Sequence, residues 1–141
     1  MVASREWEEL RKELEVLAAV THAFNAYVLD AWDNVWCAAR WFTSIYPEDL
    51  IALLHTSIAR KGIPLQRGGK LDVSLSSPKG HAYLRTYGSC YVLLLRFGGP
   101  FDEIGARAAV DAALARLELL TVNLPPPGGP GSSGNEAVGS A

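Results

Sequence analysis

The chain has 141 residues, 49% hydrophobic and 20% charged, with a formal net charge of −2. That is the composition of one globular domain, large enough to bury roughly 68–70% of its unfolded surface without a metal or disulfide staple. The weakly acidic balance excludes a nucleic-acid module built on a basic face, and no apolar run approaches the ~20 residues of a membrane span. The N-terminus is amphipathic and interrupted by Arg5, Glu6, Glu8, Glu9, Arg11 and Lys12, so it does not read as a signal peptide. These features point to a cytoplasmic protein with no membrane insertion and no nucleic-acid partner. Cys37 and Cys90 form no CxxC pair and read as reduced, packed thiols.

Ser4 is the expected cap of a first helix, with Glu6, Glu8 and Glu9 in its first turn. Trp7, Leu10, Leu14 and Leu17 recur at steps of three and four, one apolar face running to about Val20. Residues 26–29 and 35–39 then read as a hairpin around Asp30, Ala31, Trp32, Asp33 and Asn34, whose Asp and Asn residues tolerate turn geometries. The first of these strands is apolar on both faces, which requires cover on both sides. Pro47 opens a second expected helix, followed by Glu48 and Asp49; Leu50, Ile51, Leu54 and Ile58 form its stripe, and Gly62 ends it. Leu53 and His55 lie off that stripe.

Beyond a loop through Pro64, Gly68 and Gly69, residues 70–76 alternate: Leu71, Val73 and Leu75 against Asp72, Ser74 and Ser76, the pattern of a half-buried strand. Residues 77–80 turn the chain, and residues 81–86 return with Ala82 and Leu84 alternating against Tyr83 and Arg85. After a turn at residues 87–89, the continuous apolar run over 90–97 marks a central strand buried on both faces. Asp102 caps a third helix over 103–122, its expected stripe being Ile104, Ala108, Val110, Leu114, Leu117 and Leu120. Pro125, Pro126 and Pro127 stop it. The expected division is a domain over 1–124 and a disordered Pro/Gly/Ser-rich tail over 125–141, which lacks the apolar content to offset its ordering entropy.

No motif for chemistry survives inspection. Gly129, Gly131 and Gly134 match a dinucleotide-binding spacing but follow a helix and lie in the tail, where no strand precedes them. Gly68, Gly69 and Lys70 resemble a phosphate loop, yet the first glycine position holds Pro64 and Leu71 replaces the magnesium-binding hydroxyl. His22, His55 and His81 are scattered over different elements and make no zinc set. The reading is therefore no catalytic residue, no metal, no cofactor and no enzymatic activity. The aromatic cluster Trp32, Trp36, Trp41, Phe42 and Tyr46 is read as either core or interface, because aromatics dominate both. Trp32, at the turn tip, is the member least easily buried.

The order of elements, the hairpin over 26–39, the meander over 71–97 and the last helix over 101–120 resemble the roadblock family, the dynein light chain roadblock proteins and their bacterial MglB-like relatives. The likeness spans about residues 5–122. Asp33 and Asn34 stand where that family usually has Asp-Gly, and the segment before the second helix is unusually aromatic. The resemblance implies an α/β (α+β) fold of order α-ββ-α-βββ-α, with a five-stranded antiparallel sheet and helices on both faces. It also implies a homodimer in which second helices pair and meander edges join; the residues placed there are Leu50, Leu54, Ile58, Leu71, Val73 and Leu75. An alternating edge strand needs such cover on its own account.

The function expected is a non-enzymatic dimeric adaptor or regulator that binds a small Ras-like GTPase or an associated regulatory protein. Its partner patch is placed at Trp41, Phe42, Tyr46, Leu53 and His55. Two alternatives stay open: a scaffold subunit of a motor or polarity complex without GTPase contact, and a small-molecule sensor of profilin-like or PAS-like shape. A sensor needs an internal polar-lined cavity, whereas an adaptor needs a filled core and an exposed apolar patch.

Overall fold

The computed structural model describes residues 2–32, 34–39, 52, 55, 69–77, 80–88, 90–122 and 124. An N-terminal helix, Val2–Thr21, leads into a hairpin of β1 (Asn25–Asp30) and β2 (Val35–Ala39). A meander follows, β3 (Asp72–Ser77), β4 (Gly80–Tyr87) and β5 (Tyr91–Phe97), then a C-terminal helix, Glu103–Val122. The five strands form one antiparallel sheet in the order β2-β1-β5-β4-β3. The continuous apolar run thus lies at the centre, as its two-faced burial demands.

The N-terminal helix begins before Ser4, so Ser4 is inside it rather than at its cap. The reciprocal glutamate that would fix a start there is absent, because Trp7 occupies that position. The other end is sharply defined. The Ala23 amide donates to Ala18 O at 2.9 Å and the His22 amide to Ala19 O at 3.3 Å, with His22 left-handed at φ 64°. This reciprocal pair is the closure that ends many helices, here with histidine where glycine is usual.

Both described helices cover one face of the sheet. Leu10, Leu14, Leu17 and Ala18 meet Ala26, Val28, Trp36, Tyr83, Leu93 and Leu95 there, together with Val110, Leu117 and Leu120. The helices run antiparallel: Glu13 approaches Arg116 at 3.9 Å, while Phe24, just past the first helix, lies against Gly98, just before the second. The aromatic part of this layer is Trp7, Trp36, Tyr91 and Tyr87, with Trp36 edge-on to Tyr91 at 5.2 Å.

Asp102 caps the C-terminal helix as expected, its Oδ1 accepting from the Gly105 amide at 3.0 Å. The buried stripe is corrected. Ala106, Val110, Leu117, Leu120 and Thr121 are buried, whereas Ile104 is 81% exposed and Ala108 is also exposed. A second correction concerns β4. Tyr83, expected on an open face, is fully buried, so β4 is covered on both sides. Its ring lies under the Arg107 guanidinium, 5.4 Å from the centroid. Of the expected second helix, Ala52 and His55 are described; both are helical and exposed. Leu50, Ile51, Leu53, Leu54 and Ile58 lie outside the described residues, as does the tail over 125–141.

Candidate functional site

The sheet face opposite the two helices is built by strand periodicity. Side chains alternate along each strand, so antiparallel register aligns every second residue into rows. One such row crosses all five strands: Ala38, Tyr27, Leu94, Leu84 and Val73 are consecutive partners. Leu29, Val92, Ala82, Leu71 and Leu75 complete an apolar cluster in which neither described helix takes part. Tyr27, Leu29, Leu84, Val92 and Leu94 are fully buried. Burial pushes the Tyr27 hydroxyl up to about 12, so it stays protonated at neutral pH.

This cluster ends at β3, which with β2 is one of the two outer strands in the sheet order. Of the residues expected at a dimer contact, Leu71 and Leu75 are 1% and 4% exposed and belong to the chain's own core, while Val73 is half-buried. Leu50, Leu54 and Ile58 lie outside the described residues. So do Trp41, Phe42, Tyr46 and Leu53 of the expected partner patch; His55 is placed, helical and exposed.

An ionic network that sequence reading missed fixes β3 to the helical layer. Arg107 donates through Nε and Nη2 to both oxygens of Asp72, at 3.1–3.3 Å. Arg85 pairs with Asp111 at 2.7 Å and approaches Asp72 at 3.8 Å, and it donates to the Tyr83 hydroxyl at 3.1 Å. Partial desolvation pushes the Asp72 carboxyl up, but the hydrogen bonds from Arg107 and Tyr83 and the charge of Arg85 outweigh it and hold its pKa below the ordinary value. The signal was weak because Asp72 and Arg107 are 35 residues apart.

The hairpin tip is organised by Asp30, which is 4% exposed. Its Oδ1 accepts from the amides of Trp32 and Asn34 at 2.8 and 3.0 Å, and its Oδ2 from Asn34 Nδ2 and Trp36 Nε1 at 3.0 and 2.9 Å. Four donors satisfy the carboxylate without a cation. They also resolve two of the aromatics: Trp36 is core, and Trp32 is held at the tip, 41% exposed.

A cleft of about 200 Å³ opens between the end of β3 and the start of the C-terminal helix, lined by Ser74, Ser76, His81, Phe101 and Glu103 among others. Cys37 and Cys90 are half-buried thiols outside any disulfide, and burial raises the Cys37 thiol to about 12, too high for a thiolate nucleophile at neutral pH. Among the described residues no group of three or more His, Cys, Asp or Glu side chains is placed to hold a metal, and no helix is long and apolar enough to cross a membrane.

No protein-family model matches the sequence, and no curated protein matches it. Solved structures do. Myxococcus xanthus MglB superposes with a TM-score of 0.65 at 16% identity, over 82% of this chain and 97% of that one. The roadblock/LC7 domain from Streptomyces avermitillis gives 0.59 at 16% identity, over 77% of this chain and 97% of that one. The chain has the roadblock fold. A further structure with that fold, an MglB with a tetrameric arrangement, gives 0.59 at 23% identity over 82% of this chain and 92% of that one. Within the roadblock fold of this chain, the row ending at Val73 and the outer edge of β3 form the one continuous feature that joins the candidate dimer residues among the described residues.

Proposed function

We propose that this chain is a non-enzymatic, dimeric adaptor that binds a small Ras-like GTPase or an associated regulatory protein. The observation that carries the reading is the fold itself: a roadblock sheet whose β3 lies at the edge, with an apolar row running out to Val73. Strand edges invite pairing with another chain, and Asp72 and its arginines hold this one rigid for it. The family resemblance supplies the partner class, and the MglB with a tetrameric arrangement supports self-association in a protein of this fold. Among the described residues, the cleft beside Ser74 falls below the roughly 300–1,000 Å³ of ordinary ligand sites, so that cleft does not carry the sensor alternative.

Two measurements test this. Sedimentation equilibrium of Val73→Arg, beside the parent chain, is expected to show the loss of a twofold association built on 15.2 kDa protomers. Immobilised parent chain is expected to retain a purified Ras-like GTPase differently in its GDP and GTP-analogue forms. Absent retention in both forms, with the dimer intact, would leave the scaffold reading in its place, whereas equal retention would leave a GTPase contact blind to the nucleotide.

A further inference from the structure

The outer surface of the C-terminal helix carries a feature that the β3 edge does not explain. Ile104, Ala108, Ala112, Ala115, Leu119 and Val122 recur at steps of four and three and are all exposed. At 3.6 residues per turn they form one narrow stripe, directly opposite the buried stripe of Ala106, Val110, Leu117 and Leu120. Ile104 is 81% exposed, Leu119 55% and Val122 62%, and no charged residue interrupts the stripe. Beside it on the N-terminal helix stand Val16 and Val20, 59% and 62% exposed. An apolar surface spread over two adjacent helices is one that monomeric proteins seldom leave open.

The stripe is self-complementary. Laid antiparallel on a second copy about a twofold axis between Ala112 and Ala115, it sets Ala108 against Leu119 and Ile104 against Val122 of the other copy, while Ala112 meets Ala115. Two branched residues meet at each end, small faces large one turn in, and small faces small at the axis, where the backbones come closest. Arg107, on one flank of the stripe, is held within its own chain by both oxygens of Asp72 at 3.1–3.3 Å, so the contact rests on the apolar stripe rather than on that charge. Asp111, on the same flank, is already neutralised by Arg85 at 2.7 Å. Two 20-residue helices side by side present on the order of 600 Å² in projection, close to the ~800 Å² per partner of a standard interface.

We propose that the outer face of the two-helix layer binds a second copy of this chain, the C-terminal helices crossing antiparallel near Ala112 and Ala115. The contact is separate from the β3 edge and does not rest on the adaptor reading. If both contacts form, the protein assembles as a dimer of dimers.

The experiment pairs a mass measurement with a register-specific cross-link. Leu119→Glu changes an exposed side chain, so the fold, checked by circular dichroism and melting temperature, is expected to persist while the sedimenting mass falls by half. That halving is the same whether the parent is a tetramer or a dimer, so failure of the β3 contact does not imitate failure of this one. Ala115→Cys is expected to oxidise to a disulfide-linked pair, because the two sites lie near the axis. Ala108→Cys, about 16 Å from its mate in this register, is expected to remain single, with the parent chain as control for Cys37 and Cys90. An unchanged mass for Leu119→Glu, or cross-linking of both cysteine variants alike, would overturn the proposal. Either result would leave the stripe to a different partner protein or to solvent.

Discussion

The two faces of the sheet are equally buried and differently built. The helix-covered face is mixed and interlocked, with Trp36, Tyr83 and Tyr87 set among leucines and tied by polar contacts to the hairpin tip and the C-terminal helix. The opposite face is smoother, aliphatic apart from Tyr27, and arranged in rows that run out to an edge strand. Directional contacts on the first face specify one arrangement of one chain, whereas rows of Leu, Val and Ala specify little beyond flatness and register. A surface of the second kind is suited to being extended by something else.

Paired truncations at the central strand test that contrast most strongly. Leu93 faces the helices and Leu94 the opposite side, and both are fully buried. Each change to alanine is expected to cost about 2–5 kcal/mol. The loss from Leu93→Ala should be the same at every protein concentration, while that from Leu94→Ala should grow on dilution as association weakens. Thermal melts over a hundredfold concentration range separate the two, and identical behaviour would erase the distinction between the faces.

A smaller effect isolates the polar scaffold of the first face. Asp30→Ala removes the acceptor for the buried Trp36 Nε1 and for Asn34, and a loss of about 3 kcal/mol is expected from donors left without partners. Tryptophan emission should shift to the red as Trp36 loosens. A change below ~0.5 kcal/mol would mean that water replaces the carboxylate and that the tip is not organised by it.

The smallest effect concerns the join between β3 and the helical layer. The folded pKa of Asp72 is depressed, so its contribution is present above the unfolded value of ~3.9 and is lost as the pH falls through the folded value. The parent chain should therefore be more stable than Asp72→Asn near neutral pH, by less than ~1 kcal/mol at this exposure, and the two should converge in acid. Urea titrations at neutral and acidic pH check the sign; an advantage that widened in acid would contradict it.

Much of the fold was legible because its elements are strongly periodic. The apolar run over 90–97 advertises a central strand, found at Tyr91–Phe97, and Asp102 with the run to Val122 advertises a helix whose bounds match to the residue. The failures share a cause. Tyr83 reads as polar beside Arg85, but Arg107, contributed from a distant element, lets it be buried. Ile104 and Ala108 read as core because the helix is apolar on two sides, and composition cannot say which side meets the sheet. The candidate site was less legible than the fold. Leu71, Val73 and Leu75 were found from alternation, yet the first and last serve the chain's own core, and how much remains for a partner depends on packing that no single strand records.

The pairing of β1 with β5 has a consequence for how this architecture can vary. Val28 lies opposite Leu93, so the centre of the sheet closes a chain loop of some sixty residues. The entropy of closing a flexible loop grows only logarithmically, by ~0.6 kcal/mol for each doubling of its length. In closure entropy alone, length added to the chain between β1 and β5 therefore costs the central pair little, and the sheet acts as a fixed frame around which that loop can grow.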